Sequence, residues 1–142
     1  MGLDDLELEP VFSPLGEDRF ARGVELVYEG YLAHYGRPRS VTPEAVDGGL
    51  LTGDELYARG LALVAALGEP AAVSDLAELL ARCAELRAAD ASGDGDVWAA
   101  SVALLGSSPL RAGDDPGELA REAAGDDAVE RALAAHTQLA IR

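Results

Sequence analysis

The stretch GEDRFARGVELV at residues 16–27 recurs as GDELYARGLALV at residues 53–64. The two segments are identical at six positions, at an offset of 37 residues, and four further pairs are conservative. An offset of this length is typical of a helical unit that is used twice. A chain rich in Ala, Gly, Leu and Arg also produces such matches by chance, so two interpretations stay open. The repeat favours two similar helices as the organising part of the fold.

Helix signals follow one another along the chain, and no segment alternates apolar and polar residues as a strand does. Residues 1–16 hold two prolines and are predicted to form an extended arm, with Val11 and Phe12 as a hydrophobic hook. Caps, prolines and apolar spacing predict helices over 18–35, 54–67 (after a capping box at 52–55), 70–89, 97–105, from 116 onward, and 126–139. We therefore expect residues 1–142 to form a single all-α domain, a compact bundle of five to six helices with an internal pseudo-repeat of helices one and two.

Glycines inside the predicted helices need a physical reason, because each costs about 1 kcal/mol relative to alanine. Gly23 and Gly30 share one face of the first helix, and Gly60 is the repeat partner of Gly23. Small residues let another helix backbone approach closely. We expect the two repeat helices to cross near Gly23 and Gly60, with pseudo-two-fold symmetry. The alternative is that these glycines are exposed and merely tolerated.

The first helix is apolar around most of its circumference. Its remaining polar strip is formed by Asp18, Arg22, Glu25 and Glu29, which we interpret as a solvated strip. A helix this apolar is either central in the fold or covered by a second subunit. Two-fold dimers are the commonest assembly, so we expect self-association as a homodimer.

Charge and composition restrict the partners. The formal net charge is −15, and no basic stripe is present to neutralise phosphates, so we expect no nucleic-acid binding. No apolar run is long enough to span a membrane, and the N-terminus lacks the regions of a signal peptide. Cys83 is the single cysteine, and its apolar helical neighbours indicate a buried site. These features predict a cytoplasmic protein that works without a membrane.

Residues 90–101 resemble an EF-hand calcium loop. Asp90, Ser92 and Asp94 occupy the first, third and fifth places, and Gly95 occupies the sixth. The twelfth place is Ser101, where the family carries a bidentate Glu. The resemblance implies at best a weak calcium site, with candidate ligands Asp90, Ser92, Asp94 and Asp96. The alternative is an acidic connection in which Asp94 or Asp96 caps the next helix, and then no cofactor is expected.

A second group of candidate residues lies toward the end of the first helix. A His beside tyrosines and an Arg is suited to acid–base chemistry or to gripping an anionic ligand. The residues that would line such a pocket are Tyr28, Tyr31, His34, Tyr35 and Arg37. The alternative is that the tyrosines are core residues whose hydroxyl groups reach water.

Three classes of function remain open on this basis. The absence of a recognisable catalytic set favours a non-catalytic helical interaction or assembly protein that binds a protein partner or itself. The alternatives are a protein that binds a small molecule or a metal ion, and an enzyme with a site near His34. No catalytic residue is assigned from the sequence.

Overall fold

The computed structural model describes residues 5–41, 49–107 and 110–140, and in the second range the side chains from residue 52 onward. Six α-helices and no strand occur within these ranges, which confirms the predicted all-α class. The helices are α1 (Ala21–Tyr35), α2 (Gly49–Ala65), α3 (Pro70–Ala88), α4 (Asp94–Ala103), α5 (Pro116–Ala124) and α6 (Asp126–Leu139). Two 3₁₀ turns, Ser13–Leu15 and Asp18–Phe20, precede α1.

Helices α1 and α2 lie against each other through glycines on both sides. A Cβ atom added to Gly60 would lie 2.6 Å from the Gly23 carbonyl oxygen, and one added to Gly23 would lie 3.0 Å from the Gly60 carbonyl oxygen. The same reciprocal approach occurs between Gly30 and Gly53. Since Gly23 faces Gly60 and Gly30 faces Gly53, the two helices run antiparallel. The predicted close approach at Gly23 and Gly60 is confirmed, while the pseudo-two-fold symmetry stays an interpretation.

Helix α1 occupies the centre of the fold. Every residue from 23 to 32 is buried within the single chain, including the carboxylate-bearing Glu25 and Glu29. The solvated strip predicted for these two glutamates is therefore wrong. Of the two explanations for its apolar surface, α1 is the central helix of the fold and is covered by the chain itself. Its apolar face therefore gives no reason to expect a dimer.

The N-terminal arm is part of the core. Phe12 is fully buried, with its ring stacked on Trp98 at 5.7 Å between ring centroids and edge-on to Tyr28 at 5.2 Å. Val11 and Leu15 are buried beside it. The predicted hydrophobic hook is confirmed. Burying one Phe, one Val and one Leu contributes about 1.5–3 kcal/mol each, which makes the arm integral to the fold.

Two helices begin earlier than predicted. Helix α2 begins at Gly49, so Thr52 lies inside it and does not cap it; the buried Thr52 hydroxyl has no hydrogen-bond partner among the described residues. Helix α4 begins at Asp94 instead of residue 97. At the start of α4, Asp94 is held by Arg87 of α3 and His136 of α6, which places it in the first turn of the helix.

The surface of the described residues is poor in apolar side chains. Leu67 is the one large hydrophobic residue exposed in these ranges, at 43%. No described helix has the length and hydropathy required to cross a membrane. The large apolar side chains of these ranges are therefore mostly buried or half-buried.

We expect Gly60→Leu to destabilise the fold. The first atom of the new side chain would lie 2.5 Å from Val27 Cγ2, and overpacking of this kind costs about 1–3 kcal/mol even though leucine is the better helix former. Chemical denaturation measures the loss in free energy of unfolding.

Ala58→Leu is the matched control, because Ala58 lies exposed on the outer face of the same helix. Its free energy of unfolding should stay within about 0.5 kcal/mol of the wild type. A Gly60→Leu variant as stable as this control would contradict the close crossing of α1 and α2.

Candidate functional site

Four helices contribute to a buried polar network centred on Asp94, the first residue of α4. Its Oδ2 atom accepts hydrogen bonds from Tyr31 Oη at 2.7 Å and from Arg87 Nη2 at 2.9 Å, and lies 3.2 Å from His136 Nε2. Its Oδ1 atom accepts from the Gly95 backbone N–H at 3.0 Å. The carboxylate thus joins α1, α3 and α6 at the start of α4.

The imidazole of His136 lies between two partners. Its Nδ1 atom is 2.6 Å from Tyr28 Oη, and its Nε2 atom faces Asp94. With a neutral ring, Tyr28 donates to Nδ1 and the Nε2–H group donates to the carboxylate, so one tautomer satisfies both contacts. Both ring nitrogens are therefore occupied by groups of the chain itself.

Ionisation in this network follows from burial and hydrogen bonding. Burial alone would raise the pKa of Asp94, but the hydrogen bonds from His136 and Tyr31 and the charge of Arg87 outweigh it and hold that pKa well below its usual range. Burial raises the pKa of both Tyr28 and Tyr31 far above the ordinary value. The site therefore holds an ionised carboxylate, a guanidinium and two neutral phenols.

An open cavity of about 510 Å³ lies beside the network, between the turn after α3 and the face of α6. The network reaches its wall through Arg87, Asp94 and His136, whose side chains are each at most 10% exposed. Gly95 lets α4 approach α6 here, because a Cβ atom at this position would lie 3.0 Å from the His136 ring. The remaining residues of the wall are Ser92, Gly93, Asp96, Leu133, Thr137 and Ala140.

A second buried cluster holds the arm and the segment after α1 in place. Arg39 Nη1 lies 2.6 Å from Glu25 Oε1, and Arg39 Nε lies 3.0 Å from Glu29 Oε1. The second carboxylate oxygen of Glu25, Oε2, accepts hydrogen bonds from the backbone N–H groups of Val11 and Ser13, at 3.0 and 2.8 Å. Glu29 accepts from the N–H groups of residues 39, 40 and 41. This cluster is structural, because all of its charges are paired inside the chain.

Four of the five residues of the predicted pocket have different hydrogen-bond partners. Tyr28 and Tyr31 point into the network, whereas His34 Nε2 lies 3.2 Å from Asp54 Oδ1 and its ring stacks on Tyr57 at 5.1 Å between centroids. Tyr35 packs on the ring of Tyr31, and Arg37 donates to the Gln138 carbonyl oxygen. The rings of Tyr28, Tyr31, Tyr35 and His34 contact one another in sequence along α1, but the polar atoms of Tyr28, Tyr31 and His34 are directed to three different partners. The alternative of wet tyrosine hydroxyls is wrong for Tyr28 and Tyr31, whose hydroxyls are bonded inside the core.

Of the four candidate calcium ligands, Ser92, Asp94 and Asp96 lie in the wall of the same cavity, but the two carboxylates face different elements. Asp94 is committed to the network, and Asp96 faces α5, where a Cβ atom on Gly117 would lie 3.1 Å from Asp96 Oδ2. Asp90 and Ser92 are exposed in the turn before α4. Within the described ranges no group of three or more acidic, His or Cys side chains is arranged to hold a metal ion. Asp94 has instead become the first residue of a helix and bonds the next backbone N–H group.

Sequence reasoning missed His136, Arg87 and Arg39 as parts of buried clusters. A signal existed for His136, since it continues the buried face of α6 formed by Val129 and Ala132. Arg87 likewise lies one turn after the buried Cys83 on α3. A polar residue on an apolar stripe indicates a buried group with a partner, but the partners lie up to 108 residues away in the chain.

Comparison with known proteins adds no assignment. No family model, no curated protein and no solved structure matches this chain.

Tyr28→Phe should destabilise the fold by about 1–3 kcal/mol, because the buried Nδ1 atom of His136 loses its hydrogen-bond partner. Tyr57→Phe is the matched control, since the Tyr57 hydroxyl makes no hydrogen bond to a described residue, and we expect little change from it. Equal stabilities of the two variants in urea would contradict the role given to the Tyr28–His136 bond.

The contribution of Asp94 should depend on pH in a defined direction. Its pKa is lower in the folded state than in the unfolded chain, where it is about 3.9, so its stabilisation is complete above about pH 5 and is lost as pH falls. Asp94→Asn should therefore lower the free energy of unfolding at neutral pH, and its difference from the wild type should shrink toward about pH 3.

Urea unfolding of both proteins across this range measures the effect. Asp90→Asn serves as the control, because Asp90 is exposed and asparagine tolerates its positive φ of 53°. It should follow the wild-type pH profile. A deficit of Asp94→Asn that stays constant with pH would show that Asp94 contributes by shape and not by charge.

Proposed function

We propose that this chain is a non-catalytic helical protein that acts by binding another protein. The observation that carries the proposal is that the buried acid–base groups are paired with each other. A general base needs a free acceptor within hydrogen-bond reach of its substrate. In His136 both ring nitrogens face partners within the chain, and Asp94 accepts from three side chains and one backbone N–H group.

The charge and the polar character of the surface bear on the kind of protein that would bind it. The chain carries a net charge of −15, and Leu67 is the one large hydrophobic residue exposed within the described ranges. Because large apolar side chains are scarce on the described surface, we propose that its attraction for a partner is mainly electrostatic. We therefore propose a basic partner that binds with marked salt dependence.

Affinity capture from the native host, with the intact chain as bait, tests the proposal. We expect a basic protein that is retained at low salt, is released at high salt and binds again after purification. Sedimentation of the isolated chain at high micromolar concentration separates self-association from binding to a different protein. A monomer that captures no partner at low salt would contradict the proposed function.

Charge reversal on two faces of the molecule tests which face binds the partner. Glu118→Lys with Glu122→Lys changes the exposed face of α5, and Glu78→Lys with Glu85→Lys makes the same change in net charge on α3. A defined interface should respond to one pair far more than to the other. Binding that ignores both pairs and the salt concentration would contradict an electrostatic interface.

A second candidate function rests on the cavity beside the network. Its volume of about 510 Å³ falls within the range of small-molecule sites, and charged side chains reach its wall. A screen of small polar molecules by NMR, followed through the His136 ring signals, tests this alternative. Calorimetry with calcium belongs to the same screen, and we expect millimolar affinity at best for residues 90–101.

A further inference from the structure

A recessed groove of about 420 Å³ lies between the end of α3, the first turn of α4 and the start of α5. Its wall is apolar except for one arginine and one glutamate, whose charges are opposite. The residues of the wall are Arg82, Glu85, Leu86, Ala89, Val97 and Pro116. Val97 is 7% exposed and Leu86 is half-buried, so the groove offers apolar atoms without a protruding hydrophobic side chain. Another molecule could therefore place an apolar side chain here.

An acidic cleft of about 560 Å³ lies beside the start of α5. Its wall carries five carboxylates and one guanidinium, that of Arg121, which lies 2.5 Å from Glu130 Oε1. The five carboxylates belong to Asp96, Asp115, Glu118, Glu122 and Asp126. Because the guanidinium pairs with a carboxylate outside this set, the wall has a net negative charge that attracts a cationic side chain.

The groove and the cleft meet where α4 contacts α5. Val97 lines the groove and the preceding residue, Asp96, lines the cleft. Pro116 likewise lines the groove, while Asp115 and Gly117 on either side of it line the cleft. The two helices lie close together here, since a Cβ atom on Gly117 would lie 3.1 Å from Asp96 Oδ2. One short segment of a partner can therefore reach an apolar wall and an acidic wall together.

We propose that the groove and the cleft bind a short basic segment of a partner protein, with one large apolar side chain in the groove and a neighbouring Arg or Lys in the cleft. This inference rests on the proposed function and adds the place and the chemistry of the contact. An apolar side chain enclosed in a pocket supplies affinity, and complementary charge fixes its orientation. A second copy of this chain does not meet the charge requirement, because two copies that each carry −15 repel one another.

Arrays of synthetic peptides, probed with the labelled full chain, test this pairing. Each peptide of the first array carries one Leu, Met or Phe and two arginines at varied spacing, among serines and glycines. Serine replaces the apolar residue in a second array, and glutamine replaces the arginines in a third. We expect the tightest binding in the first array, and each replacement should weaken it at least about tenfold.

NMR of the unaltered chain locates the bound peptide. The tightest peptide of the first array should shift the methyl signals of Leu86 and Val97, and those of the exposed Leu67 should stay unchanged. An array without a binder, binding that is equal without the apolar residue, or shifts centred on Leu67 would overturn the proposal.

Ala89→Phe should block the groove, because Ala89 is an exposed residue of its wall and the change leaves the net charge unaltered. Ala84→Phe is the matched control, since Ala84 is exposed on the same helix and does not line the groove. With both folds checked by circular dichroism, Ala89→Phe should weaken peptide binding at least about tenfold and Ala84→Phe should bind as the wild type does. Equal binding by the two variants would overturn the proposal.

The cleft is tested by Glu118→Gln with Glu122→Gln, which removes two of its charges. This variant should weaken binding of the arginine peptide and leave binding of its glutamine counterpart unchanged. An equal effect on both peptides would mean that the arginines do not bind in the cleft.

The partner captured from the host separates this proposal from the proposed function. A basic partner that Ala89→Phe loses and Ala84→Phe retains would support the groove. A partner that both variants retain and that salt releases would overturn the groove and leave electrostatic binding in place. Failure of the wild type to capture any partner at low salt would contradict the proposed function, whereas the peptide measurements alone decide whether the groove binds.

Discussion

The burial of α1 on every side between residues 23 and 32 constrains the rest of the structure. A helix without a solvent face has to satisfy inside the protein every polar group that it carries, because an unpaired buried group costs several kcal/mol. Glu25 and Glu29 meet Arg39 and the backbone of the arm, while Tyr28 and Tyr31 meet His136 and Asp94. Helices α3, α4 and α6 meet these requirements through Arg87, Asp94 and His136, and α2 lies against α1 by close approach at Gly23 and Gly30.

The two buried clusters connect different parts of the chain to this helix. Arg39 joins the segment after α1 to the N-terminal arm, and the arm in turn places Phe12 against Trp98 and Tyr28. The network at Asp94 ties the start of α4 to α3 and α6. Because each side chain in these clusters serves two or more neighbours, replacing one should disturb elements far apart in the chain. Because the polar groups of both clusters are hydrogen-bonded inside the chain, they support the proposal that this protein acts through its surface.

Much of the fold could be predicted, and less of the site. The bounds of α6 and the start of α3 agree with the residues expected from caps and prolines, because those signals act within one turn of the helix. The starts of α2 and α4 were predicted too late, and at α4 the residue that begins the helix is held by Arg87 and His136, which are distant in the chain. At the site, Tyr28, Tyr31 and Asp94 were singled out, but their hydrogen-bond partners His136 and Arg87 were not.

The sequence by itself determined the helical class, the glycine crossing of α1 and α2 and the hydrophobic hook at Val11 and Phe12. Each depends on the type and spacing of residues close together in the chain. Only the tertiary structure decided which polar side chains are buried and which residues they pair with. Glu25 and Glu29 have the spacing of a solvated strip, and only the return of Arg39 and of the arm encloses them. A pairing across 108 residues, such as Tyr28 with His136, leaves no local pattern because it is selected by the packing of whole helices.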